Sequence, residues 1–150
     1  MEKDMKNGKI IQDHNNYRIV VPDDGKALLF DWKQVQRLSI KEFKSGIAEF
    51  AKSCKTYKPD RAVIDARKLD PIGDPLGWVT GQKKIDGEEP YNTWWSKEIV
   101  PIYNEAGISV LSVATGDPNA PGELANIPDE VHFKIGYFPD LDAAMQWGKK

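Results

Sequence analysis

The chain has 150 residues, 40% of them hydrophobic and 29% charged, with a formal net charge of -2; this is enough to bury a real core in one soluble globular domain. Its Lys and Arg residues are scattered among Asp and Glu and form no basic stripe, so nucleic acid is not expected as a partner. Met1 to Lys6 has no apolar core, no apolar run nears the roughly 20 residues of a bilayer span, and a single cysteine, Cys54, rules out an internal disulfide, so the expectation is a cytoplasmic protein without integral membrane association.

Residues 1–8 read as a polar tail and residues 9–150 as a single α/β domain. Ile10 and Ile11, then Tyr17 to Val21, flank Asp13-His14-Asn15-Asn16 and predict a hairpin. Pro22-Asp23-Asp24-Gly25 is a second turn, and Ala27 to Trp32 supplies a third strand, which gives an antiparallel meander. Ser39 and Glu42 form a capping box. After it Phe43, Ile47, Phe50, Ala51 and Cys54 recur at helical spacing, predicting a helix from Ile40 to Thr56.

Pro59-Asp60 ends that helix, and the apolar run Ala62 to Ala66 reads as a buried strand. Asp65 and Arg67 lie two apart at its C-terminal end, where α/β sheets hold ligands, so they share a face and can pair or bind a polar group together. The commoner role of such a pair is to fix the loop that follows. That loop, Asp70 to Pro90, is rich in Pro and Gly. A second helix is expected from Pro90 or Thr93 to Ala106, kinked at Pro101 and stopped by Gly107.

Ile108 to Ala114 is β-branched and uncharged, predicting a central strand buried on both faces. Gly116 to Pro128 reads as a loop with a helical turn around Glu123 to Ala125. Val131, Phe133, Ile135 and Tyr137 alternate with polar or small residues as in a half-buried strand, and Asp140 caps a last helix carrying Leu141, Ala144, Met145 and Trp147. The order β-β-β-α-β-α-β-β-α implies an α/β fold: a mixed β-sheet with an antiparallel N-terminal hairpin at one edge and helices packed on the sheet.

Trp78, Tyr91, Trp94, Trp95 and Tyr103 gather aromatic area around the long loop and second helix, suited to an apolar pocket or a subunit contact. Core packing accounts for many such aromatics. Adjacent Trp94 and Trp95 cannot both face one core. His14 and His132 have no ligand-like spacing with other His or Cys, so no metal is expected. Cys54 falls on the apolar helix face as a buried thiol. Glu88-Glu89 reads as solvated charge, and Gly73, Gly77 and Gly81 match no phosphate-cradling motif. No nucleophile, base and oxyanion donor assemble, so no catalytic residue, enzyme activity or cofactor is expected.

Asp65-Ala66-Arg67-Lys68-Leu69, Trp94-Trp95 through Pro101 to Ala106-Gly107, the strand Ile108 to Ala114, and Tyr137-Phe138-Pro139-Asp140 through Trp147 resemble the SpoIIAA-like branch of the STAS-like domains. That group includes anti-sigma-factor antagonists and shares a fold type with CRAL-TRIO-like lipid-transfer modules. The resemblance spans residues 17–148 and implies a mixed sheet with helices, a bacterial and regulatory setting, and action through protein contacts without catalysis. One family feature is missing. The phosphorylatable serine that follows the corresponding strand in the antagonists is replaced here by Arg67-Lys68-Leu69-Asp70-Pro71, so the phosphoswitch does not carry over.

The expected function is therefore protein binding by a STAS-like module, with a protein partner or a second copy of the chain engaged around Asp65, Arg67, Trp78, Tyr91, Trp94 and Trp95. The alternative is a binding module for a small apolar or amphipathic, lipid-like ligand between the long loop and the second helix. An enzyme using Asp65 and Arg67 ranks third.

Overall fold

The computed structural model describes residues 8–22, 25–33, 40–68 and 94–148. Its strands are β1 (Lys9–Asp13), β2 (Tyr17–Val21), β3 (Ala27–Trp32), β4 (Arg61–Asp65), β5 (Val110–Ala114), β6 (Gly122–Glu123) and β7 (Lys134–Phe138). They form one seven-stranded sheet in the order β1-β2-β3-β4-β5-β7-β6. β1 to β3 run antiparallel as the predicted meander, with β1 at the edge. The turn into β3 is closed by Gly25 N donating to Pro22 O at 3.0 Å. From β3 through β4 and β5 to β7 every pairing is parallel, and β6 adds antiparallel to β7. Every residue of β4 and β5 is buried, the apolar ones as expected of central strands and the charged Arg61 and Asp65 at the two ends of β4 along with them.

The helices are α1 (Ile40–Tyr57), α2, which starts as π-helical turns (Trp95–Ile99) and continues as α-helix (Val100–Ala106), and α3 (Leu141–Gln146). Alternation along the strands divides the core in two. Ile19, Leu28, Phe30, Trp32, Ala62, Ile64, Leu111, Val113, Ile135 and Tyr137 belong to the cluster that includes Phe43, Ile47 and Phe50 of α1 and Ile99, Val100 and Tyr103 of α2. Val20, Ala27, Leu29, Val63 and Ala114 face the other way, in the cluster with Leu141, Ala144 and Met145 of α3.

α1 follows the predicted spacing and sits close on the sheet at Gly46, where a Cβ would lie 2.6 Å from Trp32 Cη2. Lys58, at a φ of 49°, donates its N–H to Cys54 O and turns the chain off the helix ahead of Pro59. The capping-box residue Ser39, the tail residues before Gly8 and the Asp70 to Pro90 loop lie outside the described residues. Glu42 Oε2 accepts a hydrogen bond from Asn16 Nδ2.

In α2 the irregularity expected at Pro101 takes the form of wide π-helical turns just before it. Proline has no N–H to donate and its ring crowds the carbonyl four residues back, so the hydrogen-bond ladder opens at that point. Gly107 ends the helix in a left-handed conformation, as predicted. Two further details differ from the sequence reading. The Glu123 region forms strand β6 where a helical turn was expected, and the strand expected from Val131 begins at Lys134. Val131 and Phe133 are buried all the same, because Asn104 of α2 holds this segment: its Nδ2 donates to Glu130 O and its Oδ1 accepts from His132 N.

α3 has only six residues, and both of its ends are held. Asp140 Oδ1 accepts from Ala143 N at 2.7 Å. At the other end the sheet reaches up to the last carbonyls, with Ser112 Oγ donating to Ala144 O at 2.8 Å and the buried Arg61 guanidinium donating to Met145 O. A cation at that end also meets the negative pole of the helix.

Candidate functional site at the carboxyl ends of the parallel strands

Asp65 closes β4 and is fully buried, on the same face as Val63 and therefore on the α3 side. Arg67, two residues on, folds back over it. Its Nε donates to Asp65 Oδ1 at 2.8 Å, its Nη2 to Oδ2 at 2.9 Å, and its backbone N–H to Oδ1 at 3.2 Å. The pair is thus bidentate, the strongest geometry that Arg and carboxylate can adopt. The Arg67 side chain is 20% exposed, so it shields the carboxylate from water.

A second pair lies beside the first. Asp31 of β3 is in register with Asp65, and Arg18 of β2 is in register with Asp31. Asp31 is 2% exposed, and its Oδ2 accepts from Arg18 Nη2 at 2.8 Å. Across β2, β3 and β4 the charges therefore run plus, minus, minus, with Arg67 supplying the closing plus. Adjacent strands are about 4.8 Å apart, so the two buried carboxylates are neighbours and each is neutralised by its own arginine. Sequence reasoning found Asp65 and Arg67 but missed Arg18 and Asp31. The available signal was a charge at position 31 inside the apolar run Ala27 to Trp32, with an arginine on the neighbouring strand of the meander.

The chain leaves β4, β5 and β7 close together at this end. Ala66 N donates to Ala114 O, Thr115 N to Phe138 O and Gly116 N to Pro139 O. Gly116 takes a left-handed φ of 78°, which favours glycine, and lies beside the stem of Arg67. Asp117 then folds its own turn, its N–H donating to Thr115 Oγ1 and its Oδ1 accepting from Asn119 N.

Trp94 and Trp95 are half-buried and pack against the cluster on the α1 and α2 face, so they do not join Asp65 and Arg67. Trp95 meets Phe133 edge-on at 6.2 Å and Tyr103 at 6.4 Å, while the Lys44 ammonium stands 5.1 Å above the Trp94 ring. Both tryptophans thus pack on one core cluster, where the sequence reading expects that neighbours cannot share a core. Each is only half-buried, Trp95 among aromatics and Trp94 under a cation. Trp78 and Tyr91 lie outside the described residues.

Cys54 is fully buried, and burial pushes its thiol well above the ordinary range, which removes the thiolate a nucleophile needs. His14 stacks on Tyr17 at 4.6 Å and accepts Asn16 N–H through Nδ1, a turn-holding role. Among the described residues no group of three or more His, Cys, Asp or Glu could hold a metal ion, and no helix is long and apolar enough to cross a membrane. No protein-family model, curated protein or solved structure matches this chain.

Proposed function

We propose that the chain is a non-catalytic, STAS-like module that acts through protein contacts made at the carboxyl ends of its parallel strands. The observation that carries this reading is the commitment of the carboxylates there. Both oxygens of Asp65 are bound by Arg67, and Asp31 is bound by Arg18. A general base or nucleophile must reach a substrate proton or electrophile, whereas these groups are buried and spent on holding the chain. The pair fixes the direction in which the chain leaves β4, and with it the base of the recognition loop that follows. The short resemblance to SpoIIAA-like proteins supports the same assignment, with control by serine phosphorylation excluded from the proposal because the serine is missing.

Affinity capture at native expression, with light scattering on the purified chain, tests the reading. The wild type is expected to retain a defined protein or to self-associate. Arg67→Met should lose that association, and Lys52→Ala on the outer surface of α1 should keep it. A strictly monomeric wild type that retains nothing would overturn the proposal.

A further inference from the structure

We draw no further inference here: the strongest candidate, the notch of about 260 Å3 between the β1–β2 turn and the first turns of α1, carries nothing, because His14, Asn16 and Glu42 of its lining are engaged in hydrogen bonds that hold the turn and tie it to α1, Lys41 and Ser45 are exposed side chains on the helix surface, and nothing in the structure shows what covers it.

Discussion

Asp31 and Asp65 occupy neighbouring positions on parallel strands and are almost fully buried, so the folded state must supply a positive charge for each. Arg67 does so with three donors on one carboxylate, Arg18 with one described donor from a more exposed position. Removing one partner of a buried pair costs roughly 3–5 kcal/mol, and partial exposure of the arginine lowers this through solvent screening. Arg67→Met should therefore destabilise the protein by about 2–3 kcal/mol in urea denaturation, and Arg18→Met by about 1 kcal/mol. Asp65→Asn placed on Arg67→Met should recover part of the loss, because it removes the stranded charge. A double variant no more stable than Arg67→Met alone would show that the cost comes from lost packing of the arginine stem on Gly116 and not from charge.

At the scale of elements, the tightest constraint is the seat of α1 on β3. Gly46 is the point of closest approach, with Trp32 Cη2 2.6 Å and Phe30 Cζ 3.2 Å from where a Cβ would be. Glycine inside a helix costs about 0.8–1 kcal/mol relative to alanine, so propensity alone favours Gly46→Ala. Overpacking works in the other direction by about 1–3 kcal/mol, and Trp32 is fully buried among Tyr17, Phe30 and Phe43, which leaves its indole no room to move. The net effect of Gly46→Ala should be a loss of about 1 kcal/mol. In a Trp32→Phe background, where the offending ring atom is gone, the same substitution should become neutral or stabilising. A thermodynamic cycle over the four proteins measures this coupling.

The elements themselves were legible because their periodicities are long and consistent. The three-stranded meander, the apolar face of α1, the fully buried β4 and β5 and the Asp140 cap follow from local spacing and capping chemistry. What local spacing cannot encode is which charge lies opposite which across strands, and for that reason the Arg18 and Asp31 pair escaped notice while Asp65 and Arg67, neighbours in sequence, did not. The same limit hid β6, whose two residues owe their strand geometry to Tyr137 and Gly136 on β7. The aromatic grouping read from the sequence was likewise only partly spatial: Trp95 meets Phe133 and Tyr103 in the core beneath α2, on the face away from Asp65.

For the molecule as a whole, the two-sided core sets a limit on alkaline stability. Burial pushes the Cys54 thiol and the Tyr137 hydroxyl well above their ordinary values, and it raises Tyr17 as well. In the unfolded chain these groups release their protons near pH 9 for the thiol and pH 10 for the phenols. Above those values the unfolded state binds fewer protons than the folded state, so the slope of unfolding free energy against pH is negative. The stability is complete below pH 9 and is lost as pH rises toward the folded values. Thermal unfolding followed from pH 7 to 11 should show a falling Tm that begins near pH 9. Cys54→Ala creates a small cavity and lowers Tm at pH 7, yet it should flatten the first part of the alkaline decline, between pH 9 and 10, because the thiol that drives it is gone. An alkaline profile parallel to that of the wild type would mean that the thiol gains access to water in the native state and that the core around Phe50 and Cys54 opens more readily than its packing indicates.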